Sequence, residues 1–139
     1  MKASSRDDAQ TGFVLCDQAL VVLRDDARVS AVYLHGSQAR GEARADSDVD
    51  LGLLPVAGIT FTDYERALLA SELGLLLHKT VDVGEVSSRN LVYAKEVVYK
   101  GVPVFVRDER YARLMEMTLL SMYASFNEDR KEVMDAWTA

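Results

Sequence analysis

The chain has 139 residues, a length that suits one domain around one core and excludes a second substantial domain. Apolar residues make up 49% of it, which excludes general disorder. Its 22 acidic and 16 basic residues leave a net charge of −6 with the two signs interleaved, so no direct grip on a long nucleic acid is expected.

In chain order, Met1 to Gln10 is polar and charged and lacks the apolar centre of a signal peptide. From about Thr11 to Asp25, Phe13, Cys16, Leu20 and Leu23 recur at helical spacing. Cys16 is the only cysteine, so it forms neither an internal disulfide nor a thiolate cluster and suits a reducing compartment. No apolar run reaches the length of a membrane span, and the expected location is cytoplasmic, with no membrane partner. Val29 to Leu34 is short, β-rich and apolar and stops at Gly36, as a buried strand does. Asp48 to Val56 reads as a second strand, closed by Pro55 and Gly58. Thr62 or Asp63 caps a helix to about Leu77, with Glu65 near its positive end. Val81 to Val86 reads as a third strand, and Ser87 or Ser88 caps a helix through Lys100 that stops at Gly101. Pro103 to Val106 is a short strand, placed at an edge because proline cannot donate to a ladder. A last helix covers about Glu109 to Trp137, with Leu114, Thr118, Ser121 or Met122, and Ser125 on one face and Leu119, Tyr123 and Phe126 beside it. The alternation predicts an α/β (α+β) sandwich with a small mixed sheet and a C-terminal helix, as one domain over 1–139 with its core at about 29–106.

The stretch that carries chemistry runs from Leu34 to Gly41 and from Ser47 to Leu51. Asp48 and Asp50 are two apart at the start of an apolar strand, so their side chains project from one face. Like charges held side by side repel unless a positive charge sits between them, and a divalent cation is the economical solution. Mg²⁺ takes oxygen ligands and is held by one or two carboxylates plus substrate phosphates. Gly36 and Ser37 follow a strand directly and open a possible helical turn, Gln38 to Arg40. A glycine there lets backbone approach a ligand, and amides at a turn together with a hydroxyl suit a phosphate. Triphosphate and metal would then lie side by side, as phosphoryl-group transfer requires.

Gly36-Ser37, ten intervening residues, then Asp48-x-Asp50 resembles the signature of the DNA polymerase β-like nucleotidyltransferase superfamily. Within it, GSQARGEARADSDVDL is similar to the minimal nucleotidyltransferases, antitoxins encoded beside HEPN-domain ribonuclease toxins. Thr80 to Val83 matches the later strand with a third carboxylate, and the resemblance spans about Val29 to Val106. It implies that Asp48 and Asp50 ligate metal. Asp82 would complete one metal site or take the acceptor's proton, and Gly36 and Ser37 would hold the triphosphate, with Arg40 contacting phosphate or supporting the loop. Glu85, three residues after Asp82 and on the other strand face, is the rival third carboxylate. Gln38 stands where many members carry arginine, which removes one phosphate cation. The implied activity uses ATP and two Mg²⁺ ions to place AMP on a tyrosine of the HEPN toxin, silencing it. Two other readings compete with it: an antitoxin acting by binding alone, and a homodimeric transferase for an aminoglycoside-like small molecule.

Other features carry plainer readings. His35 is expected as a packed strand-end histidine, His78 as a helix-end residue favoured by the dipole, and Arg44 and Asp46 as solvated loop residues. Met115, Met117, Met122, Tyr123, Phe126 and Trp137 of the last helix are either core with ordinary exposure or a docking surface.

Overall fold

The structure is a computed structural model that describes residues 15–41 and 48–138, apart from the side chains of Gln38 and Arg40. Helix α1 (Asp17–Asp25) leads into β1 (Val29–His35), a short turn α2 (Ser37–Arg40) and β2 (Val49–Pro55). Then come α3 (Asp63–Leu77), β3 (Val81–Glu85), a 3-10 turn (Ser88–Asn90), α4 (Leu91–Lys100), β4 (Val102–Val106) and α5 (Glu109–Thr138). The four strands form one mixed sheet in the order β3-β2-β1-β4. β1 is antiparallel to β2 and β4, and β2 is parallel to β3. Pro103 thus sits on an edge strand, where its missing N–H costs least.

Each face of the sheet is covered by a helix pair. Leu51, Leu53, Val32 and Leu34 pack with Leu23 of α1 and Leu69 and Leu73 of α3. On the other side Ala31, Tyr33 and Leu54 pack with Ala94 and Val97 of α4 and Ala112 and Leu119 of α5. Gly52 and Gly84 are register partners on this second side, and both lie under α4. A Cβ on Gly52 would come within 2.7 Å of Val97 Cγ1, and one on Gly84 would overlap the Tyr93 hydroxyl. These two glycines let α4 settle directly onto the strands.

Helix termini follow local chemistry. Thr62 is the cap and forms a capping box with Glu65, with Glu65 N–H to Thr62 Oγ1 at 3.1 Å and Thr62 N–H to Glu65 Oε1 at 2.9 Å. His78 ends α3 with a left-handed φ of 56°. Arg107 donates to the carbonyls of Val29, Leu23, Arg24 and Asp26, closing the end of α1 against β1.

Four expectations change. The first helix begins at Asp17, since Leu15 and Cys16 precede it in non-helical backbone, and Thr11 to Val14 lie outside the described residues. Ser87 caps only the 3-10 turn, because its hydroxyl is engaged with Glu85 and the Arg89 N–H; Asn90 caps α4. Gly101 ends α4 in extended backbone (φ −79°), selected by crowding against the Val97 and Leu34 carbonyls and not by a left-handed turn. Leu114 is exposed, because the face of α5 that meets α4 is the one carrying Ala112 and Leu119.

Candidate active site

β1 ends where β2 and β3 begin, so these three strands bring their polar termini to one end of the sheet. The register sets His35 opposite Asp50, and Asp50 beside Asp82. Strand alternation turns Asp50 and Gly52 away from the Val49, Leu51 and Leu53 face. Neighbouring strands lie about 4.8 Å apart, so two acidic residues in register repel strongly without a cation between them. Among the described residues no basic side chain or N–H donor pairs with Asp50 or Asp82. Asp48 is exposed, one residue before β2, and the Val49 N–H that follows it bonds to the Thr80 carbonyl at 2.9 Å. The structure therefore brings Asp50 and Asp82 together and leaves Asp48 at their margin. Among the described residues no group of three His, Cys, Asp or Glu is close enough to enclose a metal ion.

Gly36 has a φ of +74°, a conformation that costs an ordinary residue about 1–2 kcal/mol. A Cβ built on it would overlap the Asp50 carboxylate oxygen Oδ2. Glycine here supplies both the turn and the space that the carboxylate occupies. Ser37 opens α2 and is half-buried. Of Arg40 the backbone belongs to α2, and its side chain, like Arg44 and Asp46, is outside the described residues.

His35 and Tyr93 form the wall behind the carboxylates. His35 Nε2 and the Tyr93 hydroxyl are 2.9 Å apart, with their rings edge to face at 80°. Burial pushes the His35 pKa below the ordinary histidine range, against the opposing pull of Asp50 and Asp82. Burial, and then the negative field of Asp82 and Asp50, raises the Tyr93 hydroxyl well above the usual tyrosine range. Both groups thus stay neutral near pH 7 and add no charge of their own. The packed reading of His35 holds. Tyr93 escaped the sequence reading, and Gly84, a glycine inside a strand, was the one signal that something sits close above it.

Glu85 has a different place. It is buried, and it accepts from the Phe61 N–H at 2.8 Å and from the Ser87 hydroxyl at 2.9 Å. Arg89 pairs with it at 3.0 Å. Its lone pairs are spent on holding the β2–α3 loop and the β3–α4 turn together. A cleft of about 430 Å³ adjoins this region, lined by Arg66, Gly84, Ser87, Arg89, Asn90 and Tyr93 among others. Asp50 and Asp82, with Asp48 at the margin, offer only hard oxygen donors, and the absence of a side chain at Gly36 makes room for the Asp50 carboxylate. Such a set fits Mg²⁺ and not a thiophilic metal.

A mixed four-stranded sheet with carboxylates at the mouth of two parallel strands, next to a glycine turn, defines a nucleotidyltransferase. The chain belongs to the family described as polymerase beta, nucleotidyltransferase, whose family model matches residues 18–110. Among curated proteins it is similar to the protein adenylyltransferase MntA of Shewanella oneidensis, with 27% identity over 120 residues, covering 86% of this chain and 84% of that one. Among solved structures it is similar to a chain of a toxin–antitoxin complex with AMP-PNP, at TM-score 0.72 and 25% identity, covering 88% of this chain and 98% of that one. A chain from the complex of a tri-AMPylated Shewanella oneidensis HEPN toxin with its MNT antitoxin shares the fold at TM-score 0.67 and 24% identity, over 88% of this chain and 95% of that one. No helix among the described residues is long and apolar enough to cross a membrane.

Proposed function

We propose that this chain transfers AMP from ATP to a hydroxyl, a tyrosine hydroxyl, of a HEPN-domain toxin and thereby neutralises it. The in-register pair Asp50 and Asp82 beside the space at Gly36 carries this reading. The relative called a protein adenylyltransferase and the similar toxin–antitoxin chain with AMP-PNP support it, as does the resemblance of the Gly36 to Leu51 stretch to minimal nucleotidyltransferases.

In this mechanism Asp48 and Asp50 would hold Mg²⁺, with two ions expected and Asp82 as the third carboxylate. Bound there, the metal supplies Lewis-acid charge to the α-phosphate and the leaving pyrophosphate. The backbone of Gly36 and the hydroxyl of Ser37 hold the triphosphate, and Arg40 adds a phosphate contact or supports the turn. The acceptor oxygen bonds to the α-phosphorus as the bond to pyrophosphate breaks. Asp82 accepts the hydroxyl proton, in keeping with its exposed position on the edge strand. His35 and Tyr93 keep the wall behind the carboxylates neutral and fixed, so the protein's contribution is position and charge screening.

Intact-mass measurement of a cognate HEPN-domain protein, after incubation with the chain, ATP and Mg²⁺, tests the reading. Added mass in steps of one AMP is expected, and none with the Asp48→Asn, Asp50→Asn double variant. A stable complex with no added mass would overturn transfer and leave neutralisation by binding.

A further inference from the structure

Helix α5 is 30 residues long, about 45 Å, roughly twice the length of any strand in the sheet. It starts beyond Val106, at the end of the sheet far from Asp50, with Arg107 N–H bonded to the Ser30 carbonyl. Glu116 then accepts from the Tyr33 hydroxyl at 2.6 Å, and Tyr123 meets Lys95 of α4, whose ammonium lies 5.5 Å from the ring centre. α4 itself finishes at Gly101 next to the Leu34 carbonyl, at the carboxylate end. The helix therefore runs toward the end of the sheet that bears Asp50 and Asp82. From Ala124 to Thr138 every residue is exposed, which leaves about 22 Å of helix with no buried residue among the described ones.

This projecting arm is not polar all round. Ala112 and Leu119 are buried against α4, and the same seven-residue spacing continues to Phe126 and Val133. Phe126 is 42% exposed, Val133 57% and Trp137, one turn on, 84%. A bare apolar stripe on so short a helix gains stability only when another surface covers it.

We infer that the arm docks the protein that supplies the acceptor hydroxyl, against a face of that protein with an apolar centre and a basic rim; the inference rests on the function proposed above. Charge favours this occupant over a second copy. The arm carries Glu128, Asp129, Glu132 and Asp135 against Arg130 and Lys131, a net −2 in a chain of net −6, so two arms repel. A ribonuclease, in contrast, needs basic surface to hold RNA. Area points the same way. One face of the arm, about 22 by 10 Å, offers far less than the roughly 800 Å² per partner of a stable interface. The arm thus needs a partner that continues from it onto the body, at the end of the sheet toward which α5 runs. Docking there brings the acceptor toward the end of the sheet that bears Asp50 and Asp82.

The test uses the full chain with Phe126→Ser, Val133→Ser and Trp137→Ser, exposed positions on the arm, and a cognate HEPN-domain protein. Affinity for that protein is expected to fall at least about tenfold, the usual cost of losing apolar anchors, and AMP addition to fall with it. The melting temperature and the affinity for AMP-PNP with Mg²⁺ should stay at wild-type values. Unchanged affinity for the HEPN-domain protein would overturn the inference, as would a wild-type homodimer that the triple variant dissolves while HEPN binding persists. Arm-dependent binding with no AMP added by the wild type would uphold the docking surface and overturn the transfer reading alone.

Discussion

The two ends of the β2–β3 pair treat carboxylates in opposite ways. Near the start of both strands, Asp50 and Asp82 lie in register, and the described part of the chain supplies them with no cation or donor. Near the end of β3, Glu85 is buried under two hydrogen bonds and an arginine. The second arrangement is complete and holds loops together, whereas the first sets two carboxylates side by side with no partner among the described residues. Acidic side chains alone do not mark a site; what distinguishes this pair is that the described residues around it supply no counter-charge.

The sharpest way to break this contrast is to neutralise one residue at each end. Asp50→Asn should cut AMP transfer by at least about a thousandfold, since the proposed mechanism routes several kcal/mol of transition-state stabilisation through this carboxylate. Its melting temperature without Mg²⁺ should be no lower than that of the wild type, because a repulsion has been removed. Gly36→Ala should reduce transfer by about a hundredfold, since the new methyl displaces the Asp50 carboxylate and small misplacements are costly at a reacting centre. Glu85→Gln should do the reverse of Asp50→Asn: transfer is retained while urea unfolding shows a loss of about 1–3 kcal/mol from the broken buried network. If Glu85→Gln abolished transfer with stability intact, the roles assigned to the two ends would have to be exchanged.

A smaller effect concerns pH. Burial depresses the His35 pKa in the folded chain, so the unfolded chain takes up the proton first. The stability this neutral ring contributes is full above the ordinary histidine pKa of about 6.5 and is lost as pH falls toward the depressed folded value. Melting temperatures measured between about pH 7.5 and 5.5 should fall with acidification, and His35→Gln should flatten the curve.

Much of the fold was legible because its signals are local. Thr62-x-x-Glu65 announces its helix with a reciprocal cap, and Pro103 places its own strand at an edge. Gly36, Asp48 and Asp50 could be singled out because their spacing around a turn is itself the signal. Features set by long-range packing were less visible. α5 has apolar residues nearly all round, and its packing with Ala94 and Val97 of α4 and with Ala31, Tyr33 and Leu54 of the sheet turns Ala112 and Leu119 inward and Leu114 outward. Ser87 looked like a helix cap, and nothing local showed that Glu85 and Arg89 would engage it first. Tyr93 stands 58 residues from His35, and the sheet register is what joins them.

The paired glycines under α4 have a consequence on an evolutionary scale. Gly52 and Gly84 leave no room for a methyl group beneath Val97 and Tyr93, so each glycine and the side chain above it form one unit of inheritance. Among related sequences, alanine at position 52 should travel with a smaller residue at 97, and any side chain at 84 with loss of the aromatic ring at 93. A lineage that kept Tyr93 while filling position 84 would have to lift α4 off the sheet, and the hydroxyl that reaches His35 would be drawn away from the carboxylates.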